Sequence, residues 1–431
     1  MPSTAKPALS VLLAAPHHGV VVDELPAPHH PLRISVVSET YPPEVNGVAM
    51  TVARTVQGLR ALGHDLQLVR PRQQAAETGD QHDRFHEVLT RSLSIPRYPQ
   101  LKMGLPSRRA LLKLWRKRRP DVVHIATEGP LGWSALQAAS VLRLPVTSDF
   151  RTNFHAYSQH YGIGWLGRPI LAYLRKFHNR TLTTMVPTEA LAQALAGLGL
   201  RRLQVVGRGV DTQCFSPTKR SAGLRAAWAA GPDTLVVACV GRLAPEKNLG
   251  ALLAAFEAVH AARPDSRLLL VGDGPSRAAL QQACPQAVFA GVRRGEDLAA
   301  HYASADLFLF PSTTETFGNV TPEAMASGLP VVAYDDAAAA QLICHGQNGL
   351  LVPLGQPAQF TQQAVAAALN PALAAALGRR ARDTALLHGW DHIVGQVEAI
   401  LRRAALMQGQ GVGLVDPANP DGWAPAMPVG K

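Results

Sequence analysis

Short, continuous apolar runs alternate along this chain with longer segments whose apolar residues recur at helical spacing. Such runs are typical of strands buried on both faces, and their alternation with helices predicts parallel sheets covered by helices. The predicted strands are residues 121–126, 145–150, 182–186, 203–206 and 306–310, and the start of the stretch 235–249. We therefore predict an α/β fold with its ligand site at the carboxyl ends of the strands.

The size and composition of the chain fit a globular protein of more than one domain. Its 431 residues are 47% hydrophobic and 17% charged, and this length predicts about two to three domains. No stretch approaches the roughly 20 apolar residues of a membrane span, so we expect any membrane contact to be peripheral. Residues 1–31, rich in Pro and His, are predicted to be a flexible extension, and residues 408–431 a disordered tail.

The net charge indicates the kind of partner that the protein binds, and the cysteines indicate the redox state of its compartment. The formal net charge of +11 calls for an anionic partner: a nucleotide diphosphate, a phospholipid surface or a nucleic acid. The four cysteines stand far apart without a C-x-x-C pair, so they indicate neither a metal site nor a redox motif. We therefore expect a reducing, cytoplasmic location.

The stretch from Phe310 to Val332, FPSTTETFGNVTPEAMASGLPVV, carries the first chemical signal. It predicts a strand, a loop with Glu315, and a short helix from about Val320 with Glu323 in its first turn. The amides and the positive dipole end of such a helix suit a diphosphate, and carboxylates accept hydrogen bonds from sugar hydroxyls. A carboxylate near a helix start also serves simply to offset the dipole, so the spacing alone leaves both interpretations open.

Two cations follow the first strand of the second half. In LVVACVGRLAPEKNL, Arg242 and Lys247 stand five positions apart across a Pro turn, just before a predicted helix. Cations at the carboxyl end of a strand are well placed to bind a diphosphate, although Arg242 has a surface ion pair with Glu246 as an alternative. Together, the R-x4-K and E-x7-E elements resemble the signature of the family-four, retaining nucleotide-sugar glycosyltransferases of GT-B fold.

This resemblance covers about residues 32–400 and implies two Rossmann-like domains that face a cleft. Residues 32–207 would form the acceptor domain and residues 208–390 the nucleotide-sugar domain. A terminal helix at residues 391–407 would return to the first domain.

The resemblance also implies roles for the charged residues. Glu323 would hold the ribose hydroxyls, and Glu315 the hydroxyls of the sugar ring. Arg242 and Lys247 would stabilise the negative charge that grows on the diphosphate as the sugar departs. No D-x-D motif stands in a plausible loop, so we expect no metal and no other cofactor, with the two cations in the place of a metal.

Backbone groups and two residues of the first domain complete the expected site. The amides of Gly318 and Asn319 would assist at the diphosphate, and backbone near Val292 would contact the base. Gly47 would face the diphosphate across the cleft, although its Asn-Gly pair also fits a plain turn. Glu128, in the loop after the strand DVVHIA, is the candidate for acceptor contact, whereas the His within that strand is expected to be a core residue.

The segment FRTNFHAYSQHYG, residues 150–162, departs from the family pattern. It resembles the segment in which a His followed by Thr lies near the donor sugar, but Arg151 stands at the His position. Either Arg151 assists the leaving diphosphate, or His155 or His160 replaces the missing imidazole. The interdomain turn likewise has Arg208 where the family usually has Asn.

The expected reaction is hexosyl transfer with retention of the anomeric configuration. SETYPPEVNGVA and SDFRTNFHAY look most like bacterial mannosyltransferases that use GDP-mannose, and next like sulfolipid and glucosyl-diacylglycerol synthases that use UDP sugars. We therefore expect GDP-mannose as the donor, with a UDP-hexose as the alternative, and a lipid or glycan acceptor.

Residues 102–120 predict a basic helix with an apolar side. Such a helix either lies on an anionic membrane surface or is an ordinary Rossmann-type helix with a solvated basic face. The first alternative would place the enzyme peripherally at the inner face of the cell membrane.

Other classes of protein fit less well. A dinucleotide-dependent dehydrogenase needs G-x-G-x-x-G after the first strand, and the first loop lacks it. No aromatic stacking array accompanies the basic helix, so we expect no nucleic acid partner. A non-catalytic sugar-nucleotide-binding protein, suggested by Arg151, and an epimerase of the same fold stay open at this stage.

Overall fold

Two parallel sheets organise the described part of the chain, which comprises residues 30–409 except 45, 75, 96–97 and 152–166 in this computed structural model. The strands of the first half are β1 (Arg33–Val37), β2 (Asp65–Pro71), β3 (Gln81–His82), β4 (Phe85–Thr90), β5 (Ser92–Ile95), β6 (Tyr98–Gly104), β7 (Val122–Ile125), β8 (Val146–Asp149), β9 (Thr183–Val186) and β10 (Leu203–Val205). Within the described residues they form an eight-stranded sheet of order β10-β9-β8-β7-β1-β2-β4-β3 and a β5–β6 hairpin. Every pair of the larger sheet is parallel except β3–β4.

The second half forms a smaller sheet. Its strands are β11 (Leu235–Val240), β12 (Ser266–Val271), β13 (Val288–Gly291), β14 (Leu307–Phe310), β15 (Val331–Tyr334) and β16 (Leu350–Val352). All pairs are parallel, and the order among the described residues is β13-β12-β11-β14-β15-β16. The chain winds outward in both directions from β11, so the switch point lies between β11 and β14, where open parallel sheets have their ligand crevice.

Helices connect and cover the strands. In chain order they are α1 (Gly47–Ala61), α2 (Arg108–Lys117), α3 (Pro130–Val141), α4 (Gly167–His178), α5 (Glu189–Gly197), α6 (Ala222–Ala227), α7 (Leu249–Ala262), α8 (Arg277–Ala283), α9 (Gly295–Ala303), α10 (Val320–Ala326), α11 (Ala337–Leu342), α12 (Pro357–Leu369), α13 (Pro371–Leu386) and α14 (Trp390–Gly409). Capping residues in the sequence fix the ends of several helices. The side chain of Asn46 caps the start of α1 by accepting from the Ala49 amide, and Gly63, with φ +85°, follows the end of α1. Thr188 caps the start of α5. The result is the predicted α/β class, built as two Rossmann-like domains.

The basic helix α2 packs its apolar side inward. Leu111 and Trp115 are buried, and the indole Nε1 of Trp115 donates to Oε1 of Gln67 at 2.8 Å. Arg116 and Lys117 are exposed on the other side. The apolar face that a bilayer would contact is therefore part of the protein's own core, and only the basic face is free. In the described part of the chain, no helix combines the length and the apolar character needed to cross a bilayer.

The last helix packs on the first domain. Ile393, Val397 and Leu401 of α14 are buried in one cluster with Ile34 and Val36 of β1. The chain reaches α14 beside the interdomain turn, because Val210 and Gly389 form an isolated parallel bridge. The chain thus passes between the domains twice at neighbouring points. The domain limits given above stay predictions.

Candidate functional site

An ion pair joins two of the predicted residues beside the switch point of the second sheet. Nζ of Lys247, in the 3-10 turn after β11, contacts Oε1 of Glu315 in the loop after β14. Ser312 donates from its Oγ to the same Oε1 at 2.7 Å, and Nζ of Lys247 lies 5.6 Å from the centroid of the Phe310 ring. Both charged side chains are largely buried, so their geometry is held before any ligand arrives.

Arg242 lies on the same loop but faces solvent. Its Nη1 is 3.6 Å from Oε1 of Glu246, and 68% of its side chain is exposed. The surface ion pair considered as an alternative for Arg242 therefore exists, but a loose, exposed pair of this kind is worth little. The guanidinium is accessible to an anionic ligand.

Glu323, in the first turn of α10, is half-buried, and Oε2 accepts a hydrogen bond of 3.0 Å from the hydroxyl of buried Tyr302. Burial raises the pKa of Glu323 to about 7, although the Tyr302 hydrogen bond opposes that rise. A carboxyl group in this state changes protonation near neutral pH. Its ionised form accepts hydrogen bonds from hydroxyls such as those of ribose.

The turn before α10 is shaped by a glycine. Gly318 has φ +86°, which disfavours other residues, and Asn319 follows as the N-terminal cap of the helix. No described hydrogen bond uses the amide of Gly318 or Asn319 as donor. Val292, predicted to lie near the base, is 60% exposed just after β13.

Close packing explains the Gly-rich turn after β12. A Cβ atom on Gly272 would lie 1.9 Å from the Gly241 carbonyl oxygen, and one on Gly274 would lie 2.4 Å from that of Leu243. The turn therefore packs directly against the loop that carries Arg242. Its glycines are required by this contact whether or not a nucleotide lies above them.

On the first domain, Arg151 is part of a buried charge network at the ends of β7 and β8. Nε of Arg151 donates to Oδ2 of Asp149 at 2.7 Å, and Nε2 of His124 lies 3.4 Å from the same oxygen. Burial opposes ionisation of Asp149, but Arg151 and His124 outweigh it and hold the pKa of Asp149 at about 2. His124 is a satisfied core residue, as predicted, with Nδ1 3.0 Å from the Thr147 hydroxyl.

Arg208 connects the two domains at this point. A Cβ atom on Gly47 would lie 3.3 Å from Nη1 of Arg208, and this Nη1 donates to Oδ1 of Asn319 at 3.4 Å. Gly47 itself begins α1 after the Asn46 cap. The structure thus brings the first-domain glycine and the second-domain asparagine to the same guanidinium.

Glu128 lies on the first domain beside the half-buried carboxyl group of Glu39. The backbone oxygen of Glu128 accepts a hydrogen bond of 2.5 Å from the Tyr173 hydroxyl. Oxygens of Glu39 accept from the amides of Gly104 and Leu131 at 2.6 and 2.7 Å. Burial is the main cause that raises the pKa of Glu39, with a smaller contribution from Glu128.

A cavity of about 380 Å³ opens elsewhere on the first domain. Its lining contains three basic side chains and otherwise polar or apolar groups: Arg72, Gln73, Gln74, Leu89, Thr90, Arg91, Ser92 and Lys102. It adjoins the loop after β1, because Nε2 of Gln73 and the amide of Lys102 both donate to Oε1 of Glu44. None of the predicted site residues lines this cavity.

The predicted residues thus form more than one group. Lys247 pairs with Glu315, Gly47 and Asn319 meet at Arg208, and Arg151 is tied to Asp149. Glu323 adjoins the second group, because its amide donates to the backbone oxygen of Asn319 at 3.2 Å. Arg242 and Val292 are exposed on other loops, and Glu128 lies beside Glu39 on the first domain. His155 and His160 lie outside the described residues.

Sequence reasoning missed two residues. Asp149 had a detectable signal, because it is a carboxylate near the carboxyl end of the predicted strand 145–150, where open parallel sheets place their ligand sites, two positions before Arg151. Arg208 was noticed only as a replacement for Asn, and nothing in its local sequence indicates its neighbours.

Family models match both halves of the chain. Residues 45–213 match the model described as "Glycosyltransferase Family 4", and residues 234–370 match the model described as "Glycosyl transferases group 1". These ranges contain Gly47, Arg151 and Arg208 as well as the Lys247–Glu315 pair described above.

Curated relatives agree with these matches. The chain is 37% identical over 383 residues to a GDP-mannose-dependent alpha-mannosyltransferase of Mycobacterium tuberculosis (strain CDC 1551 / Oshkosh), covering 86% of this chain and 98% of that protein. It is 29% identical over 326 residues to sulfoquinovosyl transferase SQD2 of Arabidopsis thaliana, covering 74% of this chain and 62% of that one.

Solved structures agree on the fold. Sucrose-phosphate synthase from Thermosynechococcus elongatus superposes with a TM-score of 0.69 at 20% identity, covering 88% of this chain and 100% of that one. The two Rossmann-like domains are accordingly arranged in the GT-B fold. The chain belongs to glycosyltransferase family 4 and is a hexosyltransferase.

Proposed function

We propose that this enzyme transfers mannose from GDP-mannose to a hydroxyl group of a lipid or glycan acceptor, with retention of anomeric configuration and without a metal. The observation that carries the proposal is the Lys247–Glu315 pair at the sheet switch point. A cation for phosphate and a carboxylate for hydroxyls stand there side by side, as the joined phosphate and sugar of a nucleotide sugar require.

The donor is proposed to extend from this pair toward α10. Lys247 and the accessible Arg242 bind the diphosphate, with help from the amides of Gly318 and Asn319. Glu315 accepts hydrogen bonds from the hexose, and Glu323 accepts them from the ribose. Backbone near Val292 contacts the base. The name of the mycobacterial relative supports GDP-mannose over other donors.

The proposed reaction is driven by the charges that develop as the sugar leaves the diphosphate. As the bond from the anomeric carbon to the β-phosphate oxygen breaks, positive charge develops on the sugar and negative charge on the diphosphate. Lys247 and Arg242 stabilise the second charge more strongly in the transition state than in the ground state. The acceptor oxygen attacks from the face that the diphosphate leaves, and its proton passes to the departing phosphate oxygen. One glycosidic bond replaces the bond to phosphate, and the configuration is retained.

The acceptor is proposed to bind to the domain of residues 32–207, at Glu128, with the donor on residues 208–390 and residues 391–407 returning to the first domain. Arg151 is proposed to assist the leaving diphosphate, because it lies close enough to Arg208 to lower the pKa of that side chain. His155 is proposed to lie near the donor sugar.

Association with the cytoplasmic face of a membrane is proposed to be electrostatic. The basic side of α2 is exposed whereas Leu111 and Trp115 are buried, so only charge is free to contact a lipid headgroup. Each basic residue near an anionic surface contributes about 1 kcal/mol. Cosedimentation with phosphatidylglycerol vesicles should therefore fall steeply with salt; salt-independent binding would contradict the proposal.

The deciding experiment supplies the donor and follows the product. The purified chain is incubated with GDP-mannose, UDP-glucose, UDP-GlcNAc or UDP-galactose and a bacterial lipid extract, and transferred hexose is quantified. We expect transfer from GDP-mannose, and an α-configured anomeric proton in the product by NMR. A β-configured product would refute retention, and loss of activity with EDTA would refute metal independence.

One specific alternative deserves the same assay. The sulfoquinovosyl transferase relative supports a UDP-sugar-dependent glycolipid synthase. Transfer from a UDP-hexose and none from GDP-mannose would select this alternative while leaving the site assignments in place.

A further inference from the structure

Arg208 lies where the two domains meet. Its guanidinium is bounded on one side by the start of α1, through Gly47, and on the other by Asn319 at the start of α10. The guanidinium carbon lies 5.8 Å from the centroid of the Phe317 ring. Both flanking segments are those proposed to face the donor diphosphate.

This cation is buried without a counter-ion among the described residues. Arg208 is 8% exposed, and its Nε has no hydrogen-bond partner in the part of the chain that the structure describes. Its one described polar contact is the neutral Oδ1 of Asn319, at 3.4 Å. A buried guanidinium with so little compensation is costly for the fold.

Neighbouring charges do not remove this cost. Burial, and then repulsion from Arg151, lowers the pKa of Arg208 to about 10, against smaller attraction from Asp149 and Glu315. Asp149, the carboxylate that attracts Arg208 more strongly, already accepts from Arg151 at 2.7 Å. Arg208 therefore stays charged at neutral pH, and among the described residues no carboxylate is paired with it.

We propose that Arg208 is a third phosphate-binding cation of the donor site, which contacts the diphosphate of the nucleotide sugar from the interdomain turn. A diphosphate supplies both the missing charge and acceptor oxygens for Nε and a terminal nitrogen, and the planar guanidinium fork matches phosphate geometry. The inference rests on the proposed function, because Gly47 and Asn319 border the diphosphate only if the donor binds as described above. It goes beyond that function by adding a cation from outside the R-x4-K element.

The first test compares binding of GDP and guanosine by calorimetry in the full chain. We expect Arg208→Gln to weaken GDP binding at least about tenfold while guanosine binding is unchanged, and Arg208→Lys to fall between, because it keeps the charge but loses the fork. Unchanged GDP affinity, or an equal loss for GDP and guanosine, would overturn the inference in favour of a purely structural role.

A second test does not depend on the Gln variant binding ligand. Asn319→Asp places a carboxylate 3.4 Å from Nη1 of Arg208 and supplies the missing counter-ion within the protein. We expect this substitution to raise the Tm of the ligand-free chain and to weaken GDP binding. In the Arg208→Gln background the rise in Tm should disappear. No rise in the native background would show that Arg208 already has a counter-ion, against the inference.

The two proposals fail differently. If the native chain transfers hexose from a nucleotide sugar but Arg208→Gln binds GDP normally, only the role of Arg208 is wrong. If the native chain binds neither GDP nor UDP, the proposed function and this inference fall together.

Discussion

The hydroxyl group of Tyr302 in α9 donates a hydrogen bond of 3.0 Å to Oε2 of Glu323 in α10. Tyr302 is buried under the second sheet and packs against Phe308 of β14, so its hydroxyl is fixed by the core. The carboxyl group proposed to hold the donor ribose is thus oriented from the protein interior. Burial raises the pKa of this carboxyl group to about 7, so its protonation should affect ligand binding and stability around neutral pH.

Binding of GDP-mannose should depend on the protonation of Glu323. The ionised carboxylate accepts hydroxyl hydrogen bonds, so affinity should be full above the pKa of about 7 and weaken below it. The limiting slope is about tenfold per pH unit for one proton. Calorimetry between pH 5.5 and 8.5 measures this, and Glu323→Gln serves as the control with weak, pH-independent binding. A flat profile in the native chain would count against the ribose role.

Replacing Tyr302 should move that profile. The Tyr302 hydrogen bond lowers the pKa of Glu323, so Tyr302→Phe should raise the pKa further. GDP-mannose binding at pH 7 should then weaken and recover at pH 8.5. Tyr334→Phe is a matched control, since Tyr334 is equally buried in β15 but does not contact Glu323. A shift in both variants would indicate a general effect of lost hydroxyls.

At pH values at which Glu323 is ionised, this residue should lower the free energy of unfolding. Its folded pKa of about 7 lies above the ordinary 4.5, so the folded state loses stability as pH rises from 4.5 to 7 and has no such loss below. Glu323→Gln should therefore be more stable than the native chain at pH 8, by on the order of 2 kcal/mol, and equal to it at pH 4. Urea unfolding at the two pH values is the measurement. Equal stability at pH 8 would contradict this expectation.

Loss of Lys247 should impair catalysis more than binding of the nucleoside. Lys247→Gln leaves the largely buried Glu315 without its cation and removes charge from the leaving group, so kcat/KM should fall about 100-fold or more. Lys219→Gln is the matched control, because Lys219 also forms an ion pair in this domain, 2.6 Å from Oε2 of Glu296. Comparable losses in both variants would argue against a specific role.

Replacing either of two helix glycines by alanine should change the free energy of unfolding, in opposite directions for the two positions. A Cβ atom on Gly58 of α1 would lie 2.4 Å from a methyl carbon of Val394, whereas one on Gly395 of α14 meets nothing within 4 Å. Gly58→Ala should cost about 1–3 kcal/mol through overpacking, and Gly395→Ala should add about 0.5–1 kcal/mol through helix propensity. Urea unfolding of the full chain measures both. The Gly58→Ala loss should shrink in a Val394→Ala background if the α1–α14 contact is its cause.

Sequence patterns predicted the elements of this fold well because the local rules apply directly. Each predicted strand contains the observed one, as residues 306–310 contain Leu307–Phe310, because short runs rich in apolar and β-branched residues between turn and helix signals favour strands. The helix predicted from about Val320 begins there, helped by Pro322 in its first turn.

Contacts between elements far apart in the chain were harder to predict from the sequence. Nothing near Arg208 indicates that its side chain reaches Asn319, 111 positions later, because only the packing of two domains brings them together. The orientation of α2 also needed the structure, since Leu111 and Trp115 suit a bilayer and a protein core equally well by sequence. The exposure of Arg242 and its 3.6 Å contact with Glu246 likewise needed the structure, because a spacing does not encode exposure, and its phosphate role stays a prediction.

The bridge between Val210 and Gly389 ties the outgoing and returning segments of the chain together. Two segments fastened side by side resist stretching and shear but still permit rotation about the line along which they run. A rotation of the two domains about this line would leave Arg208, two residues before Val210, close to the axis, and would move the Lys247–Glu315 pair relative to the first domain. A cation near a pivot changes position least during such a swing, so it can stay bound to phosphate while the acceptor enters and the product leaves.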